Sequence, residues 1–364
     1  MSDTSKFIEV DRNMIIQTSI EEPDIKFYDV RKEPFEIYGL YRPQTENVFK
    51  RLPDEIGKNV NPGVARLYLH TSGGRVRFST DSQYVAIKCI MPYITRYPHM
   101  PLTGTSAFDM FVDGEDGPRF HRPFKPSADI EDGYESVIKF KNRELRHFTI
   151  NFPLYNPVDT LYIGLQQDAV VGEGKKYRSS LPIYYYGSSI TQGACASRPG
   201  NAYESIISRR MNLDFVNLGF SGNGKAEQII ADYIAEQKMI AFVCDYDHNA
   251  PNVEYLKNTH LNFYQTFRAK QPDTPYIMMS RPDYDHDFKA SIARRDVIID
   301  TYRYAREQGD KNVYYIDGQG IFRGPDESLC SVDGCHPGDV GFLKMADAVE
   351  RILVRALRDA DFDR

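Results

Sequence analysis

Along the first half of the chain, hydrophobic and polar positions alternate in short runs broken by Gly, Pro and Asp. Arg75-Val76-Arg77-Phe78-Ser79, Gln83-Tyr84-Val85-Ala86-Ile87-Lys88-Cys89-Ile90 and Phe108-Asp109-Met110-Phe111-Val112-Asp113 have this form. Ser136-Val137-Ile138-Lys139-Phe140 and Arg146-His147-Phe148-Thr149-Ile150-Asn151-Phe152 repeat it. Val64-Ala65-Arg66-Leu67-Tyr68-Leu69-His70 also reads as a strand, with Ser72-Gly73-Gly74 turning into the next. A two-residue period sends successive side chains to opposite faces, so each run predicts a half-buried strand. No long helical period interrupts the runs between about Phe7 and Gln167. An antiparallel β-sandwich is expected.

The pattern changes after Gly172-Glu173-Gly174-Lys175-Lys176. Pro182-Ile183-Tyr184-Tyr185-Tyr186, Phe215-Val216-Asn217-Leu218, Ile240-Ala241-Phe242-Val243-Cys244, Pro275-Tyr276-Ile277-Met278-Met279 and Val313-Tyr314-Tyr315-Ile316 are nearly continuous apolar strands. Helical periods fill the intervals, over about 202–211, 226–237, 259–270, 294–308 and 341–357. Apolar strands alternating with helices predict a parallel sheet covered on both faces. The expected fold class is therefore α/β, with a sandwich at 1–175 and a flavodoxin-like three-layer domain at 176–364.

Composition narrows the function classes. A formal charge of −6 and a pI near 5.8 argue against nucleic acid as a partner, because phosphate binding needs a concentrated basic surface. No stretch approaches the roughly 20 apolar residues of a membrane helix, and Met1-Ser2-Asp3-Thr4-Ser5-Lys6 leads into no apolar run of signal-peptide length. Five scattered cysteines without paired spacing fit a reduced chain better than a disulfide framework or a zinc site. The expectation is a cytoplasmic protein without cofactor or metal. Self-association is left open.

Three chemical features follow predicted strand ends, which places them at one edge of the sheet where ligands bind, and a fourth follows the fifth strand after a long loop. They are Gly187-Ser188-Ser189, Gly219-Phe220-Ser221-Gly222-Asn223-Gly224, Asp245-Tyr246-Asp247-His248-Asn249 and Asp333-Gly334-Cys335-His336-Pro337. Acyl transfer needs a nucleophile, a base and oxyanion donors. Ser189 supplies the hydroxyl and His336 the imidazole. Asp333, three residues earlier, can reach Nδ1 and leave Nε2 for Ser189. The backbone N–H groups of Ser189 and Gly222 and the Asn249 amide are the candidate oxyanion donors, with glycine at 222 allowing close backbone approach.

On these residues the second half, from about Leu181 to Leu357, resembles the SGNH (GDSL-type) hydrolases, whose blocks carry Ser, Gly, Asn and His in that order. The resemblance implies a carboxylic ester hydrolase acting through an acyl-enzyme, with short acyl groups on carbohydrates as substrates. The first half resembles the β-rich domain of one branch of these esterases, its Gly-x-Asp-Leu-Tyr signature matched loosely by Ser106-Ala107-Phe108-Asp109-Met110-Phe111-Val112-Asp113. The family's aspartate before the serine is Ser188 here. Its Gly-x-Asn-Asp block is replaced around 245–249, so either Asn249 or His248 could be the third donor.

Other readings compete. Gly219-Phe220-Ser221-Gly222-Asn223-Gly224-Lys225 fits the phosphate loop Gly-x-x-x-x-Gly-Lys, but Ala226 stands where a magnesium-binding hydroxyl belongs. A non-catalytic carbohydrate-binding protein is the other alternative. Asp283-Tyr284-Asp285-His286-Asp287 and Asp245-Tyr246-Asp247-His248 are expected to be solvated loops rather than metal sites. Cys195 and Cys335 stand near Ser189 and His336 but off the strand-end turn, and both are expected to pack as small buried residues rather than act as nucleophiles. His70, His99, His121, His147 and His260 lack acidic partners at suggestive spacing and are expected on the surface or in the core. Arg198 and Asn201 are expected to open a helix, with a substrate contact as the alternative, and Lys225 to be a helix-start surface residue or a substrate contact.

Overall fold

The computed structural model describes residues 6–11, 14–283 and 287–359. Strands β1 (Lys6–Asp11) and β2 (Met14–Thr18) form a hairpin. Strands β3 (Ile25–Asp29), β4 (Glu36–Tyr38), β5 (Arg75–Thr80), β6 (Tyr84–Ile90), β7 (Phe108–Gly114) and β8 (Gly117–Phe124) follow, then β9 (Gly133–Lys139), β10 (Arg146–Asn151), β11 (Thr160–Gln166) and β12 (Val171–Glu173). One antiparallel sheet runs β12-β5-β10-β7-β8, with β4 also on β5, and faces a second of order β3-β11-β6-β9. The inward positions of both, including Val76, Phe78, Val85, Ile87, Phe148 and Ile163, form one fully buried cluster. That is the sandwich the alternation predicts.

Val64–Leu67 is a correction. It forms a short helix, α2, as Asp54–Gly57 (α1) and Leu102–Thr105 (α3) do elsewhere. The Asn61 side chain accepts from Val64 N at 2.9 Å, and Val64 and Leu67, three apart, turn one buried face toward the second half. The Asn61 hydrogen bond and that face override the strand propensity.

Strands β13 (Ile183–Gly187), β14 (Phe215–Gly219), β15 (Ala241–Asp245), β16 (Tyr276–Met279) and β17 (Val313–Ile316) are all parallel, in the order β14-β13-β15-β16-β17. Alternate side chains separate the layers. Ile183 and Tyr185 pack with α5 (Tyr203–Met211) and α9 (Asp339–Asp359), whereas Tyr184 and Tyr186 pack with α6 (Gln228–Ala235), α7 (Val253–Lys270) and α8 (Phe288–Glu307). Helices α7 and α8 start about six residues before the hydrophobic period suggests. Asn252 and Asp287 cap them by accepting from Tyr255 N and Ala290 N. The order reverses on either side of β13, so the crevice of this sheet lies beyond the carboxyl ends of β13 and β15.

The two halves interlock. Asp109, fully buried in the first, accepts from Arg198 Nη1 at 2.8 Å and Gly200 N at 2.9 Å in the second. Arg198 also lies over the Phe120 ring, so this residue, the N-cap of the short turn Pro199–Asn201, is an interface residue as well as a helix opener. Arg75 pairs with Asp214 and covers Phe215.

Candidate active site

Beyond β13 the chain enters a single helical turn, α4 (Ser189–Gln192), with Ser188 as its N-cap. Ser188 Oγ accepts from Ile190 N at 3.1 Å. Serine and aspartate are equivalent caps, which accounts physically for the departure at this position. Gly187 is required by its neighbours, since a Cβ there would intrude on the hydrogen bond between Thr191 Oγ1 and Asp245. Burial pushes the Asp245 carboxyl up to about 7.

Ser189, 8% exposed, lies at the start of this turn. Its Oγ is 2.9 Å from His336 Nε2, and His336 Nδ1 is 2.8 Å from Asp333 Oδ2. The other Asp333 oxygen accepts from His336 N at 2.7 Å and Cys335 N at 3.0 Å. Partial burial of Asp333 opposes its charge, but these amides and the imidazole outweigh it and hold the carboxyl down to about 2. A carboxylate fixed on Nδ1 leaves Nε2 to accept the serine proton.

Among the described residues neither the Ser189 nor the Gly222 amide has a protein acceptor. Gly222 has φ +69°, and nothing lies within 4 Å of where its Cβ would stand. Its glycine is therefore explained by the left-handed turn and not by crowding. Asn249 Nδ2 donates to the Phe220 carbonyl at 2.9 Å, which ties it to the Gly222 loop and leaves its second amide hydrogen. His248 is committed elsewhere, with Nε2 2.7 Å from Asp283 Oδ1 and Nδ1 3.4 Å from Asp247 Oδ1.

The run from Asp245 to His248 is not a solvated loop, and neither is Asp283 solvated. Asp245, Asp247 and Asp283 are all buried. Asp283 pairs with Arg281 and His248, and Asp247 accepts from Arg281 N at 3.1 Å. Burial alone would lower the His248 imidazole, but Asp283, Asp247 and Cys335 raise it well above the ordinary value. Cys335 lies between Asp333 and His336, so this cluster braces from behind the loop that carries both. Tyr284, Asp285 and His286 lie outside the described residues, and Asp287 is the α8 cap.

In the phosphate-loop match, Ser221 N donates to Gln192 Oε1, Asn223 N and Gly224 N donate to Phe220 O, and Ala226 N donates to Tyr186 Oη. Those amides face protein acceptors and cannot form an anion cradle.

Sequence reasoning passes over the residues behind the site. Gln192 Nε2 is 3.2 Å from His70 Nδ1 and donates to Leu154 O at 3.2 Å, joining both halves to the Gly222 loop. Tyr155 Oη donates to Ser189 O at 3.0 Å. Arg51, 1% exposed, donates to the carbonyls of Leu67, His70, Asn217 and Gly219. Nothing in its sequence context, beside Lys50 and shortly before Asp54 and Glu55, marks it as buried. His99, expected on the surface or in the core, is half-buried with its ring centroid 5.3 Å from that of His336.

A 2-1-3-4-5 parallel sheet with a hydrogen-bonded Ser–His–Asp chain at its carboxyl edge has the architecture of a serine hydrolase. Residues 180–354 match the GDSL-like Lipase/Acylhydrolase family, and residues 25–171 match the N-terminus of Esterase_SGNH_hydro-type (GxDLY). The chain belongs to the GDSL-like (SGNH) hydrolases, in the branch carrying the GxDLY domain. It is similar to a structure described as a GDSL-like lipase from Bacteroides ovatus, at 27% identity and TM-score 0.83, covering 92% of this chain and 98% of that one. A salicylyl-acyltransferase from a tetracycline biosynthetic pathway shares the fold at 21% identity and TM-score 0.74, with the same coverage. A family two carbohydrate esterase from Clostridium thermocellum shares it at 13% identity and TM-score 0.62, covering 89% and 98%. The search of curated proteins finds no match. Among the described residues no helix is long and apolar enough to cross a membrane.

Proposed function

We propose that the chain is a serine esterase that removes short acyl groups, acetyl above all, from a carbohydrate. The observation carrying this reading is the unbroken chain from Ser189 Oγ through His336 to Asp333, at 2.9 and 2.8 Å. Ser189 attacks the ester carbonyl as His336 Nε2 takes its proton. Asp333 orients the ring and stabilises the imidazolium. The oxyanion meets the amides of Ser189 and Gly222 and the free hydrogen of the Asn249 amide. His336 then protonates the departing alcohol, and water releases the acid from the acyl-enzyme.

The carbohydrate reading is supported by likeness in fold to carbohydrate esterases, including an acetyl xylan esterase from Butyrivibrio proteoclasticus at 12% identity and TM-score 0.55. The test is hydrolysis of p-nitrophenyl esters of increasing chain length, and of acetylated oligosaccharides, by the wild type and Ser189→Ala. Preference for acetate and acetyl release from the sugar, both lost in the variant, are expected. Preference for long chains would overturn the substrate assignment.

A further inference from the structure

Three segments far apart in the chain converge beside the candidate catalytic histidine. His99 comes from the irregular stretch between β6 and α3, Cys195 from the loop after α4, and His336 from the loop before α9. One ligand atom from each, a ring nitrogen or Sγ, lies within 4.8 Å of the other two. Cys195 is buried, with its N–H bonded to Pro337 O at 2.8 Å, so its backbone is tied to the histidine loop. His99 has ring contacts with Tyr97 and His336 but no hydrogen-bond partner for its nitrogens among the described residues.

We propose that His99, Cys195 and His336 form a binding site for a thiophilic divalent cation, Zn²⁺ in chemical character, whose occupation switches the hydrolase off. Two imidazoles and a thiolate suit a borderline-soft ion, and three protein ligands leave a fourth position open to water. Tetrahedral zinc ligands stand about 3.5 Å apart, so modest side-chain rotation closes the set. Binding replaces the Cys195 S–H bond by an S–metal bond and releases the proton to solvent, with no change of oxidation state. The ion takes a His336 nitrogen from either Ser189 or Asp333. In both cases the proton acceptor is lost.

This inference rests on the hydrolase reading for its effect but not for its site, and the experiment separates the two. Ester hydrolysis is titrated with zinc, with magnesium as the control, in the wild type, His99→Ala and Cys195→Ala. The wild type should lose activity at micromolar zinc and recover with chelator. The two variants should hydrolyse ester normally without metal yet need about tenfold or more zinc for the same inhibition. Co²⁺ is then added to Ser189→Ala, where a sulfur-to-cobalt charge-transfer band should appear and should vanish when Cys195→Ala is combined with it. Equal zinc sensitivity in all three proteins, or no cobalt–thiolate band, overturns the site. A cobalt band in a chain that hydrolyses no ester would leave the site standing and remove the hydrolase reading.

Discussion

Replacing Arg51 by Met should damage folding and the candidate site together. The guanidinium is buried and donates to four main-chain carbonyls, at 2.8 Å to His70, 3.1 Å to Asn217, 2.7 Å to Gly219 and 2.7 Å to Leu67. Burial pulls Arg51 down to about 9, so it remains charged at neutral pH. Methionine fills much of the volume but donates nothing. Leu67 O keeps a second donor in His70 N, so three acceptors lose their partner. At about 1 kcal/mol or more for each, the cost is about 3 kcal/mol. Urea denaturation at pH 7 reads this loss directly. Lys58→Met, removing an exposed partner of Asp54, is the control and should leave the midpoint unchanged. Turnover should also fall in the folded fraction of Arg51→Met, because Gly219 O anchors the loop that carries Gly222. A loss below about 1 kcal/mol would refute the reasoning, since it would mean the carbonyls are satisfied without Arg51.

Asn249→Ala should lower kcat by about 10²–10³ with little change in KM, as expected of a donor used only in the transition state. His248→Gln should instead weaken the brace behind Cys335, read as a lower melting temperature. Asp333→Asn should reduce kcat by up to about 10⁴ through loss of imidazole orientation. The Asp333 carboxyl is depressed from 3.8 to about 2, so its stabilising effect is present above pH 3.8 and lost as pH falls through about 2. Asp245 is the opposite case, raised from 3.8 to about 7. The folded state holds its proton more tightly, so stability falls as pH rises between those values. Asp245→Asn should flatten that part of the stability–pH curve.

Much of the architecture is legible because its physics is local. The alternation around Phe78 and Phe148 and the apolar runs at Tyr185 and Val243 report the faces that the sheets bury. Ser189 and His336 are legible because each follows a strand end in one domain. What escapes is decided by partners distant in the chain. Asp283 looks solvated until His248 and Arg281 meet it. His99 carries no sign of its position, since only the docking of the two halves brings it to His336. The strand pattern at Val64 fails because the Asn61 hydrogen bond and burial against the second half favour one helical turn. The asparagine register at 249 is ambiguous in one dimension. In the fold both His248 nitrogens face carboxylates, which no spacing in the sequence foretells.

The central claim is that Ser189 is the nucleophile activated by His336. Reaction with a fluorophosphonate ester, followed by peptide mass spectrometry, tests it most directly. One adduct on Ser189, formed in step with loss of ester hydrolysis and absent from Ser189→Ala, is the expected result. An adduct on another residue, or a Ser189→Ala protein that hydrolyses ester as fast as the wild type, would contradict the claim.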